Sequence, residues 1–214
     1  VQNGLDAEEG LEKSINQASK KGVKIFTASN YVQVRKTKEA NPHGHGAGDP
    51  HFWLDPISMK AVVNGLSESI KKEFNIDVSQ NALVMSKKLD DLSAGILTQT
   101  AVIPEQNRKL VTGHDSLGYY AARYNFTVIG AVIPSFATGA QASAAQVSKL
   151  EKLIKASKVP AIFAEIGTPK QVVNVISKDT GAKVVELTDH ILPSDGSYYT
   201  MMNNMTATIV EALK

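Results

Sequence analysis

The chain contains no cysteine. That excludes disulfides, thiol catalysis and every cysteine-based zinc site. It suits an oxidising compartment, where a free thiol is a liability, without requiring one. A strong charge of either sign is also absent. The 23 Lys and Arg stand against 21 Asp and Glu, for a net charge of +2 at pH 7, so no nucleic acid and no anionic membrane is called for as partner. No apolar run approaches the roughly 18 residues of a membrane span. The sequence opens at Val1 with no signal peptide or lipobox, so a signal for export or lipid attachment is expected upstream of it. HExxH, GxSxG and a Gly-rich phosphate loop are missing as well, which removes common signatures of zinc peptidases, serine hydrolases and nucleotide enzymes. What is present is an ordinary globular composition over 214 residues, 43% hydrophobic and 21% charged, long enough to bury a real core.

Along the chain, residues 1–22 read as a helix after a short lead-in, with Leu5, Leu11, Ile15 and Ala18 near one face and Gly22 at its end. Residues 23–28 read as a strand, and residues 40–50 as a loop rich in Gly, His and Pro. Asp55-Pro56 has the form of a helix start, Asp as N-cap and Pro in the first turn. Met59, Val62, Val63, Leu66, Ile70 and Phe74 then keep helical spacing. After a Ser79 cap, Ala82, Leu83, Leu89, Leu92, Ile96 and Leu97 mark a second helix of about 20 residues, roughly 30 Å long.

From residue 103 the pattern changes. Strand-like runs at 109–113, 127–133, 160–165 and 183–187 alternate with helical runs at 116–124, 144–157, 168–180 and 198–213. Ser143 with Gln146 forms a capping box, and Thr168-Pro169 reads as a cap followed by Pro at the first helical position. The strands are short, apolar and rich in β-branched residues, which suits a parallel sheet covered on both faces. The expected fold class is α/β: a C-terminal (βα)4 lobe with a parallel sheet, preceded by a long connecting helix and the remnant of an N-terminal α/β lobe. The expected domain limits are 1–78 for the remnant, 79–102 for the connecting helix and 103–214 for the C-terminal lobe.

There are five histidines. His43, His45 and His51 cluster around the Gly-rich loop, His114 closely follows the strand Leu110-Val111-Thr112, and His190 follows Asp189 beyond the last strand. Ligands of open parallel sheets bind beyond the carboxyl ends of the strands. His114, Glu165 and Asp189 all fall there, and imidazole with carboxylate suits zinc or manganese. Each also has a plainer reading. A His after a strand is commonly a satisfied loop residue, Glu165 fits a charge at a helix N-terminus, Asp189 fits a turn, and His43 and His45 fit flexible filler.

Residues 49–56, Asp-Pro-His-Phe-Trp-Leu-Asp-Pro, resemble the DPHxWLDP signature of the solute-binding proteins of zinc, manganese and iron ABC transporters. Further segments are similar to that family in the same order. They are Asn3-Gly4-Leu5 with Glu8, Thr112 to Tyr120 with one extra residue before the His, Ile162-Phe163-Ala164-Glu165, Leu187-Thr188-Asp189, and Ser197 to Met202. The resemblance implies one metal ion held by four side chains between two lobes joined by a long helix. Three of those side chains are implied here: His51, His114 and Asp189. The first ligand of the family is a His upstream of the NGL segment, at a position before Val1, so most of the first lobe is expected to be missing. Glu165 is read as the group that orients a His ligand. His43 and His45 sit in no ligand motif, and the glycines that loosen their loop, rather than the resemblance, make them candidate auxiliary metal contacts. His190 lies in no motif and is given no ligand role.

A His at the third position is more usual in zinc receptors, and imidazole itself favours zinc over manganese. Zn2+ is therefore the expected cargo, with Mn2+ or Fe2+ as alternatives. The implied partner is the ABC permease of a metal importer. The implied location is periplasmic or extracellular, with lipid anchoring through an upstream segment. Residues 1–35 are expected to expose apolar surface that seeks a partner, a second copy included. Two other classes stay open. One is a zinc-dependent hydrolase using His51, His114 and Asp189 with Glu165 as base; the other is an adhesin.

Overall fold

The structure, a computed structural model, describes residues 1–8, 10–36, 48–136 and 141–214. Its chain forms two compact units, Val1–Ser93 and Ala94–Lys214. The first holds helix α1 (Glu12–Lys20), helix α2 (Pro56–Phe74) and the start of helix α3 (Ser79–Thr100). The second holds the end of α3, then β1 (Lys109–His114), α4 (Gly118–Tyr124), β2 (Thr127–Ile133), α5 (Ala144–Ser157), β3 (Ala161–Ala164), α6 (Lys170–Thr180), β4 (Lys183–Glu186) and α7 (Tyr198–Leu213).

In the first unit, the Asn3-Gly4-Leu5 segment is a turn closed by its own glutamate. Glu8 accepts the backbone N–H of Asn3 and, at 3.2 Å, that of Gly4. Gly4 has φ +83°, and a Cβ there would run into the Ser29 and Thr27 side chains, so glycine is required on two counts. The helix expected over 1–22 is confined to Glu12–Lys20, after this turn. The strand expected at 23–28 reduces to a single parallel bridge between Gln2 and Thr27. A strand needs a ladder, and Gln2 offers Phe26 and Ala28 only one rung before the chain turns away.

Helix α2 starts as the sequence predicts. The Asp55 carboxylate accepts the Ile57 N–H and the Ser58 hydroxyl, and Pro56 fills the first helical position. Gly65 leaves room for the Tyr31 ring, which stacks on Phe26 with centroids 4.9 Å apart. Lys60 pairs with Asp90, and Ser86 donates to Asn64, tying α2 to the first turns of α3. Ser79 is the first residue of α3 rather than its cap; Asp77 accepts its N–H at 2.9 Å. Leu89, Leu92 and Ile96 are buried as expected, whereas Leu83 and Leu97 are exposed.

The second unit is a four-stranded parallel sheet in the order β2-β1-β3-β4. Its core joins Val111, Val132 and Ile162 of the sheet to Leu150 and Ile154 of α5 and Val173 and Ile176 of α6. Helices α4 and α7 are linked by the Tyr120 hydroxyl, which donates to Thr206 at 3.1 Å. Burial pushes the Tyr120 phenol well above its ordinary pKa. The Arg108 guanidinium donates to the carbonyls of Thr100, Ile103 and Tyr124. It thus binds the C-terminal ends of α3 and α4, where a cation is favoured.

Two local expectations need correction. Burial on both faces holds for β1, whose residues Leu110 to His114 are all buried, but not for β4, which is an edge strand with no fully buried residue. Thr168 does not cap α6; Pro169 occupies the N-cap position. The Thr168 N–H instead donates to the Glu165 carbonyl, closing a turn with Gly167 at φ +90°.

Candidate metal centre

The sheet order fixes where the second unit can bind a ligand. The chain leaves β1 for β2 on one side and returns past β1 to β3 on the other. The carboxyl ends of β1 and β3 therefore flank the switch point of the topology, the usual ligand crevice of open α/β sheets. His114 is the last residue of β1, and Glu165 is the first beyond β3. Both are buried, at 2% and 5% exposure.

One carboxylate organises this end of the sheet. Glu165 Oε2 accepts the His114 backbone N–H at 3.1 Å and faces the His114 ring Nδ1 at 3.4 Å, while Oε1 accepts the Ser116 hydroxyl at 3.0 Å. A carboxylate opposite Nδ1 favours the proton there and makes Nε2 the ring nitrogen suited to a metal. Gly113 makes this approach possible. A Cβ at that position would strike both the Glu165 carboxylate and Thr168. The glycine that lengthens this motif by one residue is thus the residue that admits Glu165 to the β1 backbone.

Asp189, 1% exposed, follows β4 by a short loop. Its Oδ1 lies 2.6 Å from Nδ1 of His190, whose side chain is 26% exposed. The His190 ring in turn lies against the His114 ring, with centroids 4.8 Å apart and planes at 52°. Burial pushes the His114 pKa down, but the hydrogen bond to Glu165 and the negative charges of Glu165, Asp189 and Asp115 outweigh it. The net shift is upward. This end of the sheet therefore favours positive charge.

His51 sits in the first unit and is built by the same device. Asp49 accepts the His51 backbone N–H two residues on, an Asx turn with Pro50 at its centre. The same Oδ1 meets the ring Nδ1, both contacts being 2.9 Å long. Asp49 Oδ2 lies 3.9 Å from Arg35, and Asn3 donates to the Pro50 carbonyl. Phe52 and Leu54, at 1% and 0% exposure, anchor the 3-10 turn that follows, and Asp55 then caps α2. Each residue of the Asp49–Pro56 segment other than Trp53 thus has a local structural task, and Trp53 rests its ring on His51 at 5.0 Å.

Each of these side chains is a ligand type for a borderline divalent cation, with oriented imidazoles backed by carboxylates. His51, His114, Glu165 and Asp189 all occupy buried positions. His43 and His45 lie outside the described residues. His190, whose ring lies against His114, is in none of the motifs. Its signal in the sequence was its place after the last strand, beside Asp189.

A family model described as zinc-uptake complex component A, periplasmic, matches residues 1–212. The chain belongs to this family. Among its relatives, the zinc-binding protein TroA of Treponema pallidum is 30% identical over 179 residues, 77% of this chain and 57% of TroA. The chain thus spans little more than half of that relative's length. The manganese-binding lipoprotein MntA of Halalkalibacterium halodurans is 27% identical over 99% of this chain and 70% of its own. A metal ABC transporter substrate-binding lipoprotein of Lactococcus lactis is 26% identical over 94% of this chain and 67% of its own. The solved structure of the periplasmic zinc-binding TroA superposes with a TM-score of 0.83 at 26% identity, covering 99% of this chain and 79% of that one. The α/β fold with a parallel sheet expected from the sequence is therefore the fold of this chain, and it resembles that of TroA over 79% of the latter's length. Family members carry names of metal-binding and transport proteins, with zinc in some and manganese in others.

Proposed function

We propose that this chain is the metal-capturing part of an extracytoplasmic solute-binding protein that hands a transition metal, zinc in preference, to an ABC importer. The observation that carries the reading is the end of β1. There a buried His114 is held by Glu165 at the topological switch point, with Asp189 and His190 beside it. His51, with Asp49 behind it, His114 and Asp189 are the proposed ligands, and Glu165 sets the His114 ring. A donor set dominated by neutral imidazole favours zinc over manganese. The partner is the permease of the importer. The protein works outside the cytoplasm, in the periplasm or at the cell surface, where the relatives' names put a lipid anchor on several members.

Manganese is the second reading, favoured by the 27% identity to manganese-binding MntA over 99% of this chain. Capture rather than hydrolysis is supported by the names of the relatives and by the arrangement of Glu165, whose oxygens are engaged by His114 and Ser116. The test is calorimetric titration of metal-free chain with zinc and with manganese, beside a His51→Ala, His114→Ala double variant. About one equivalent of zinc, lost in the double variant and bound more tightly than manganese, is the expected result. Manganese bound more tightly would reverse the choice of cargo. Equal zinc binding by the double variant would remove the reading.

A further inference from the structure

We propose that His190 is a direct ligand of the metal. This rests on the metal-capture reading above and adds a residue that lies in none of the segments resembling the family. The two rings at this end of the sheet are close enough to share an ion. His114 and His190 each offer a ring nitrogen, and these lie within 4.8 Å of one another. A tetrahedral zinc with bonds of about 2.0–2.1 Å holds its nitrogens about 3.3–3.4 Å apart. Small side-chain rotations span the difference.

The environment of His190 is that of a ligand. Its Nδ1 meets Asp189 Oδ1 at 2.6 Å, which holds the ring proton on Nδ1 and makes Nε2 the nitrogen suited to a metal. The same construction holds His114 on Glu165 and His51 on Asp49. These three histidines therefore carry one signature, a buried carboxylate behind Nδ1. The His190 side chain is 26% exposed while the Asp189 side chain behind it is 1% exposed. The ring is thus the more accessible member of the pair. His114 and His190 then form a two-imidazole donor set on the second unit beside the Asp189 ligand, with Glu165 behind His114. An added imidazole shifts preference further toward zinc.

The test uses the full chain and zinc alone, with a competing chelator to bring the affinity into range, on the His190→Ala and His190→Asn variants. Asn carries an N–H in place of imidazole Nδ1–H, so it preserves the donation to Asp189 while removing Nε2. Both variants are expected to lose zinc affinity by about 100-fold or more, beyond the 10–100-fold typical of losing a supporting partner. Retention within about threefold by Asn, with loss in Ala, would make His190 a positioning residue for Asp189 and overturn the proposal. Retention in both would overturn it as well. A His114→Ala control separates the two levels. If it abolishes binding while the His190 variants bind normally, only this inference fails; if it binds normally, the capture reading fails and takes the inference with it. A second measurement is independent of how the variants fold. On adding zinc to the wild-type chain, the ring 15N signal of His190 Nε2 is expected to move to the metal-bound range, and an unmoved signal would overturn the assignment.

Discussion

Replacing Glu165 by Gln isolates the charge that holds His114. The substitution keeps the shape of a side chain that is 5% exposed. Its amide oxygen can take the place of Oε2, which now serves the His114 N–H at 3.1 Å and the ring at 3.4 Å. The amide nitrogen then faces Ser116, whose hydroxyl can turn from donating to accepting. The hydrogen-bond pattern thus survives while the charge does not. Loss of a supporting carboxylate typically weakens metal binding 10–100-fold, which is about 1.4–2.7 kcal/mol. The same substitution removes the Glu165 charge, one of the causes that raise the His114 pKa, and leaves only a neutral acceptor facing the ring, so that pKa should fall. Competitive zinc titration reads the first effect and NMR titration of the His114 ring in metal-free chain reads the second. Zinc affinity within twofold of wild type, with an unmoved His114 titration, would refute the role given to Glu165.

Further outcomes follow from the same geometry. Gly113→Ala should weaken zinc binding at least as much as Glu165→Gln, because its Cβ would displace the Glu165 carboxylate and Thr168; wild-type affinity on titration would refute this. Asp49→Ala should cost about 10–100-fold in zinc affinity, since it frees a His51 ring now held at 2.9 Å, and an unchanged dissociation constant would count against it. The raised His114 pKa has a definite sign for the metal-free chain. Its contribution to stability is complete below the ordinary value of about 6.5 and is lost as pH rises through the folded value. Zinc needs the neutral ring, so binding in that window should release a proton and weaken on acidification. Titrations in buffers of different ionisation enthalpy measure the release, and heats independent of buffer would contradict it.

Much of the second unit was legible because its local signals agree with its tertiary role. The β-branched run Thr127–Ile133 and the capping box at Ser143 and Gln146 give β2 and α5 residue for residue. The first unit was less legible. Val23 to Ala28 has the apolar content of a strand, but pairing decides a strand, and among the described residues only Gln2 pairs there. Thr168 has the chemistry of a cap, yet its hydroxyl lies over Gly113 and the N-cap position falls to Pro169. At the site, His51, His114, Glu165 and Asp189 were each visible in motifs, whereas the contact of His190 with His114 was not. Those residues are far apart in sequence, and the crossing of the chain at β1 and β3 brings them together.

The most direct test of metal capture is anomalous diffraction at the zinc edge from crystals of the chain grown with one equivalent of zinc. One strong peak is expected, with nitrogens of His51 and His114 about 2.0–2.1 Å away and the Asp189–His190 pair completing the shell. A peak on other residues, or no ordered zinc at His114, would contradict it.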